Sequence, residues 1–234
     1  MLTLEGLVIR QDGFELSADL HVPDGARVAV IGPSGAGKST LLNAVAGFQP
    51  VDEGRIRMQG RDVTGLAPGK RPVSMLFQDN NLFPHLSAAQ NVGLGLRPDL
   101  RLDAAQRARV AQALERVGLQ GLEGRKPGQL SGGQASRVAL ARVLVQGRGL
   151  VLLDEPFAAL GPALKAEMLD LLEEVLDETG ATLLLVTHDP ADALRIAPQT
   201  ILVADGWANA PVATAQLFAD PPLALRSYLG VPKS

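Results

Sequence analysis

The amino-acid sequence predicts an α/β fold with a mostly parallel sheet, an N-terminal antiparallel β part and an inserted helical subdomain. Three observations predict it. Continuous apolar runs, GLVLLDEP and ATLLLVTHD, are typical of strands that are buried on both faces. Helical patterns alternate with these strands, as in a parallel α/β core. Between residues 86 and 146 the pattern is helical and no strong strand is evident.

The N-terminal region is predicted to form short strands over LTLEGLVI, FELSADLHV and RVAVIG. The second alternates clearly between apolar and polar residues. The third leads directly into a glycine-rich loop, and STLLNAVAGF continues as a helix that ends near Gly47. GRIRMQGRDV alternates again, and PVSMLF is a compact apolar strand.

The helices that follow have recognisable ends. Asp103 and Gln106 resemble a capping box at the start of AAQRARVAQALERVGL. A later helix is expected from Pro162 to about Thr179, with Gly180 as its stop. We therefore predict an α/β core formed by residues 1–80 and 147–234, with residues 81–146 as the helical subdomain.

Composition excludes several classes of protein. The net charge is −3 and the basic residues are dispersed, which argues against a nucleic-acid binder that relies on bulk positive charge. The chain has no cysteine, so disulfides, a thiolate nucleophile and a cysteine metal site are excluded. No run approaches the roughly 18 apolar residues of a membrane-spanning helix. We expect a soluble, cytoplasmic protein that reaches a membrane only through a partner.

A phosphate-binding loop follows the third predicted strand. VAVIGPSGAGKST matches G-x-x-x-x-G-K-[ST] in the required strand–loop–helix context. Its glycines allow successive backbone N–H groups to turn toward phosphates, and the helix dipole adds positive potential. Lys38 is expected on the β- and γ-phosphates and the Ser39 hydroxyl on Mg²⁺. The predicted binding residues are Gly32, Pro33, Ser34, Gly35, Ala36, Gly37, Lys38, Ser39 and Thr40.

Two carboxylates end the apolar run LVLLDEP. Neighbouring residues of a strand point to opposite sides, so Asp154 and Glu155 are expected to have separate roles. Asp154 suits the Mg²⁺ shell, and Glu155 suits polarising an attacking water as general base. A solvated strand end is the alternative, which the upstream phosphate loop disfavours.

Two further polar residues follow predicted strands. His188 ends VTHD, at what should be the sheet edge where α/β folds bind ligands, so it can contact a γ-phosphate or be a structural histidine. Gln78 follows PVSMLF, and its amide oxygen can complete the Mg²⁺ shell or face solvent in a loop. The residues by themselves leave both alternatives open.

A second anion-binding turn precedes a helix at LSGGQ, residues 130–134, which we call the signature. The phosphate loop, Gln78, the signature, VLLDEP and VTHD occur in the order and approximate spacing of the ATP-binding-cassette ATPases. The chain resembles that family over essentially its whole length. The resemblance implies that ATP and Mg²⁺ are the cofactors, with Glu155 and His188 as catalytic residues and Ser39, Gln78 and Asp154 around the metal.

The resemblance also implies a composite site. In this family two nucleotide-binding subunits pair head to tail, and the signature of one covers the γ-phosphate of ATP held by the other. We therefore expect a homodimer with an isologous interface and no nucleic-acid partner. The covering residues here would be Ser131, Gly132, Gly133 and Gln134.

Within the family, KRPVSMLFQDNNLFPHLSAAQNVGLGLRP most resembles the ATPase subunits of bacterial thiamine importers. This implies a subunit at the cytoplasmic face of the inner membrane that powers a permease, which receives thiamine from a periplasmic solute-binding protein. Residues 79–85 would line the groove for the permease's coupling helix, with Leu82 and Phe83 as an apolar patch. The alternatives are an importer ATPase for another small solute or anion, and a soluble ATPase of this family acting on ribosomes or DNA.

Three positions depart from the family's pattern. Gln11 stands where an aromatic residue usually stacks on adenine, and Phe14 is the nearest ring. After the signature, only Arg137 remains of a frequent Arg-Gln-Arg. Gly161 replaces an aspartate that helps to couple the two ATP sites. A module that closes on ATP without turnover is therefore a third alternative, against which Glu155 and His188 argue.

Overall fold

The computed structural model describes residues 1–11, 13–158 and 160–228. Within this part the chain forms two compact units, one made of residues 1–73 together with the chain from Gly180 onward, the other of residues 74–179. The limits of the helical subdomain, residues 81–146, remain a prediction.

The secondary structure follows the predicted alternation of strands and helices. The strands are β1 (Leu2–Gln11), β2 (Phe14–Val22), β3 (Arg27–Ile31), β4 (Glu53–Met58), β5 (Arg61–Asp62), β6 (Val73–Leu76), β7 (Leu150–Asp154), β8 (Thr182–Val186), β9 (Gln199–Ala204), β10 (Trp207–Ala208) and β11 (Val212–Ala213). The helices are α1 (Lys38–Ala46), α2 (Ala88–Gly93), α3 (Ala104–Arg116), α4 (Gly132–Val145), α5 (Pro162–Thr179), α6 (Pro190–Ile196), α7 (Thr214–Ala219) and α8 (Leu223–Tyr228).

The first unit contains a mixed sheet with the strand order β5-β4-β1-β2-β10-β9-β3-β8, and β11 pairs with β9. β1 is antiparallel to β2 and β4, whereas β3 is parallel to β8 and β9. β8 is buried along its whole length, as its uninterrupted apolar sequence indicated. The predicted combination of an antiparallel N-terminal part with a parallel core is confirmed.

A buried arginine holds the C-terminal end of α1. Arg71 is 2% exposed and donates hydrogen bonds to the carbonyl oxygens of Ala44 and Val45, at 2.7 and 2.9 Å. It also donates to the carbonyls of Thr64 and Leu66. Burial lowers the pKa of Arg71. Because the last carbonyls of a helix have no intrahelical donor, this guanidinium satisfies them and complements the helix dipole.

The second unit has a helical core built by α2, α3 and α4. It is formed by Ala88, Val92, Val110, Ala113, Leu114, Val117, Leu119, Val138, Ala141 and Val145. The predicted capping box of α3 is present, since the Asp103 side chain accepts a hydrogen bond from the Gln106 N–H and the Gln106 side chain accepts one from the Asp103 N–H. In the same unit β6 and β7 are neighbouring strands, and β7 is buried throughout.

Candidate functional site

The phosphate loop connects β3 to α1 in the first unit. Lys38 is the first residue of α1 and is only 9% exposed. Its Nζ donates hydrogen bonds of 2.8 Å to the carbonyl oxygens of Gly32 and Pro33. The ammonium group therefore lies against the backbone of the loop, beside the N–H groups at the start of α1. This arrangement concentrates positive potential where phosphates would bind.

Gly37 places the loop against an aromatic ring. Its φ is 100°, in the left-handed region, and a Cβ at this position would lie 2.6 Å from Cζ of Phe14. A larger residue is excluded by both the backbone conformation and the contact. Gln11 is exposed and lies opposite Phe14 in the β1–β2 pairing. Phe14, the aromatic residue nearest to position 11, is therefore in contact with the phosphate loop.

His188 lies on the loop after β8, the strand that is parallel to β3. The Thr187 N–H donates to the carbonyl of Val30 at 3.4 Å, so this loop and the phosphate loop leave the same edge of the first unit's sheet. Thr187 accepts a hydrogen bond from the Asp189 N–H, and Asp189 caps α6. His188 itself is exposed. His188 therefore leaves β8 at the edge of this sheet from which the phosphate loop leaves β3, and its contact with a γ-phosphate stays a prediction.

Asp154 and Glu155 lie at the end of β7 in the second unit. Asp154 is the last strand residue and is 8% exposed. Glu155 has left the strand, with φ of 46°, a left-handed conformation that is costly for a residue other than glycine. Strand alternation therefore does not apply to Glu155, which lies outside the strand, and the separate roles of the two carboxylates stay a prediction. Gln78 follows the neighbouring β6 and is exposed.

The signature begins α4. Ser131 accepts a hydrogen bond from the Gln134 N–H at 3.2 Å, and the Gln134 side chain accepts one from the Ser131 N–H at 3.0 Å. This capping box leaves the N–H groups of Gly132 and Gly133 without an acceptor inside the helix. Ser131 and Gly132 are exposed, whereas Gly133 is buried. The signature therefore presents a capped and accessible helix N-terminus.

The predicted docking segment, residues 79–85, lies in the second unit. Phe83 is 48% exposed, and the ring of His85 meets it edge-on with centroids 6.0 Å apart. Leu82 is half-buried and packs against the helical core. The apolar patch expected from Leu82 and Phe83 is therefore carried mainly by Phe83.

Two further properties concern the part of the chain that the structure describes. None of its helices is long and apolar enough to cross a membrane. No group of three or more His, Cys, Asp or Glu side chains is placed to hold a metal ion.

Residues 17–158 match the family model described as ABC transporter. The chain belongs to the ABC transporter family. The thiamine import ATP-binding protein ThiQ of Cereibacter sphaeroides is 65% identical over 230 residues, which cover 98% of this chain and 100% of the relative. ThiQ of a Ruegeria species is 60% identical with the same coverage. ThiQ of Photorhabdus laumondii is 52% identical and covers 88% of each chain.

Solved structures of ABC cassettes agree with this assignment. A dimeric structure of MJ0796 in a post-hydrolysis state, bound to ADP and Pi, superposes with a TM-score of 0.80 at 30% identity. The match covers 92% of this chain and 99% of that one. The predicted ABC ATPase fold is thus confirmed, and as an ABC ATPase the chain binds and hydrolyses ATP.

Three structural residues escaped prediction from the sequence. Arg71, Asn91 and Arg142 each fix the backbone of a loop or helix end through several hydrogen bonds to backbone groups. A signal was available for Arg142 and Asn91, because each polar side chain lies in a short helical stretch of mostly small or apolar residues. The partners of Arg142 lie 61 and 62 residues away, whereas those of Asn91 lie within eight residues, and no local pattern identifies either set.

Proposed function

We propose that this ABC ATPase is the energy-coupling subunit of a bacterial importer for thiamine or its phosphates. The observation that carries the proposal is similarity along nearly the full chain to several proteins named as thiamine import ATP-binding proteins. The chain works from the cytoplasmic face of the inner membrane, bound to an integral permease. A periplasmic solute-binding protein delivers the solute to that permease and does not contact the ATPase.

ATP is bound through its phosphates by residues 32–40. The buried ammonium of Lys38, already oriented by two carbonyl oxygens, is in position to receive the β- and γ-phosphates. In our proposal Glu155 polarises the attacking water and His188 contacts the γ-phosphate. Each of these three side chains would thus act at its own place in phosphoryl transfer: Lys38 on the β- and γ-phosphates, Glu155 on the attacking water and His188 on the γ-phosphate.

Mg²⁺ fits the donors proposed for it. Ser39, Gln78 and Asp154 offer a hydroxyl, an amide oxygen and one carboxylate, and protein-bound Mg²⁺ commonly has one or two carboxylates with waters and phosphate oxygens. The ion would neutralise charge on the β- and γ-oxygens.

Two copies form the working unit. The exposed N-terminus of α4 supplies Ser131, Gly132, Gly133 and Gln134 to the γ-phosphate of ATP held by the other subunit. The capping box supports this role, because it satisfies the N–H groups of Ser131 and Gln134 locally and uses neither of the two glycine N–H groups between them. The solved structures of the MJ0796 cassette are dimeric, which supports a dimer here as well.

The importer itself is tested in proteoliposomes that contain the chain, its permease and the solute-binding protein. Thiamine should stimulate ATP hydrolysis and enter the vesicles, and Glu155→Gln should abolish uptake while the complex still assembles. Stimulation by another solute and not by thiamine would assign a different cargo. Hydrolysis without any permease binding would favour an ATPase outside transport.

The composite site is tested by mixing two inactive variants. Ser131→Arg blocks the signature and Lys38→Met disables the phosphate loop, and we expect neither to hydrolyse ATP alone. A mixture forms dimers with one intact loop facing one intact signature, so hydrolysis should return. Ser131→Ala is the control for loss of the helix cap, which costs about 1 kcal/mol without adding bulk. If the mixture hydrolysed ATP no faster than either variant alone, the signature would not act on ATP that is bound to the other subunit.

A further inference from the structure

The turn that follows Gln78 adopts an unusual backbone conformation. Asn80 and Asn81 both have positive φ, 57° and 45°. Asparagine tolerates this left-handed conformation better than most residues, yet two in succession remain unfavourable. The Asn80 N–H donates to the carbonyl of Phe77 at 3.0 Å, and the Asn81 N–H to that of Asp79 at 2.6 Å. The turn therefore depends on support from the surrounding structure.

Arg142 of α4 supplies that support. Its Nη1 donates to the carbonyl of Asn81 and its Nη2 to the carbonyl of Asn80, both at 2.7 Å. The planar guanidinium thus binds two successive peptide groups at once, which a lysine ammonium cannot do with the same geometry. Burial lowers the pKa of Arg142, consistent with a side chain inserted between helix and loop.

A second residue of α4 contacts the same turn. Ser136 is buried, and its Oγ accepts a hydrogen bond of 3.2 Å from Nδ2 of Asn80. Ser136 belongs to the Ala-Ser-Arg sequence that departs from the family's frequent Arg-Gln-Arg. The serine at this position therefore provides the turn with a hydrogen-bond acceptor, its hydroxyl group, on the signature helix.

The other end of the docking segment is fixed by Asn91 of α2, which is fully buried. Its Oδ1 accepts from the Phe83 N–H at 2.8 Å, and its Nδ2 donates to the carbonyls of Phe83, Leu86 and Ser87. α2 in turn packs on α4 within the same helical core. Residues 79–85 are therefore held at both ends by one packed group of helices.

We propose that Arg142 is a positioning residue that makes the docking segment and the signature helix move as one body. This inference rests on the proposed function, in which a permease contacts residues 79–85. Arg142 lies roughly 16 Å along α4 from Ser131, at a rise of about 1.5 Å per residue. A displacement of the docking segment by the permease thereby reaches the signature through a single hydrogen-bonded helix.

The first test measures the segment in the chain alone. Because the chain has no cysteine, His85→Cys provides a single attachment site for a spin label on the exposed side of the segment. Arg142→Met should increase the mobility of this label, and Arg142→Lys should restore part of the immobilisation. Arg109→Met is the matched control, because Arg109 also donates to a carbonyl of α4, that of Val145 at 2.8 Å, without contacting the segment. Equal mobility in the Arg142→Met and Arg109→Met proteins would overturn the proposal.

The second test uses the complex with the permease. Arg142→Met should leave hydrolysis by the isolated subunit and binding to the permease near their original levels. Stimulation of hydrolysis by the permease should fall about tenfold, within the range by which positions between coupled sites act. Undiminished stimulation would also overturn the proposal. Thermal unfolding of each variant establishes that it is folded at the assay temperature. If the unaltered chain is never stimulated by a permease, the proposed function fails, and the mobility of the label at residue 85 still decides the role of Arg142.

Discussion

Gly133 of the signature lies directly against Leu164 of α5: a Cβ at residue 133 would overlap Cδ2 of Leu164 and come within 3.3 Å of its Cγ. A Cβ at Gly132 would have no heavy atom within 4 Å. The absence of a side chain therefore has a different structural consequence at each of the two adjacent glycines. Gly133 is required by packing within its own subunit, and Gly132 leaves a surface to which another molecule can come close.

Gly133→Ala should force Leu164 into another rotamer and destabilise the fold by up to about 1 kcal/mol, at the low end of overpacking costs, because Leu164 is half-buried and its Cδ2 is the end of a flexible side chain. Urea unfolding of the single and double variants checks this. In the Leu164→Ala background the same substitution should cost clearly less, because the overlapping atoms are gone. An equal cost in both backgrounds would exclude this contact as the reason for the glycine.

Gly132→Ala should leave the free energy of unfolding unchanged or raise it by up to about 1 kcal/mol, since alanine favours the helix more than glycine. ATP-dependent dimerisation and hydrolysis should nevertheless fall, because a methyl group would separate the helix N-terminus from a phosphate. Sedimentation with ATP and a hydrolysis assay measure both effects. Full activity of this stable variant would argue against a phosphate at the first turn of α4.

Glu155→Gln should retain ATP binding and lose hydrolysis by about 10²–10⁴-fold, the usual contribution of a general base. The amide cannot accept the proton of the attacking water, so the ATP-bound dimer should accumulate. Size-exclusion chromatography with ATP and a phosphate-release assay test this prediction. Hydrolysis at the original rate would remove Glu155 as the base.

Gly161→Asp should be accommodated by the fold, because a Cβ at this position meets no heavy atom within 4 Å. The Gly161 carbonyl accepts the first hydrogen bond of α5, from the Lys165 N–H at 2.9 Å, so residue 161 is the helix cap. An aspartate there should stabilise the chain by only a few tenths of a kcal/mol. The larger change should be a steeper dependence of hydrolysis on ATP concentration, if the carboxylate couples the two sites. An unchanged ATP dependence would show that Gly161 does not limit coupling.

Features defined by short-range sequence were predictable. The phosphate loop, the capping box at Asp103 and the helix beginning at Pro162 each depend on residues within one or two turns of one another. The positive φ of Glu155 was not predictable, since glutamate has no preference for it. Nor was Arg142, whose partner Asn80 lies 62 residues away. The positions of Gln78, Asp154 and the signature followed from the motifs, but their distances to nucleotide and metal remain predictions.

Arg71, which donates to the last carbonyls of α1, also determines how much of the chain must be taken to transfer the phosphate loop and its helix to another protein. The consensus motif ends at residue 40, but the guanidinium that closes the other end of the same helix comes from residue 71. A graft that ended with α1 and Gly47 would keep the hydrogen bond from the Gly47 N–H to the Ala44 carbonyl and would lose the donor that Arg71 supplies to the Val45 carbonyl. A transplant that keeps both ends of α1 as they are in this structure therefore has to extend through residue 71.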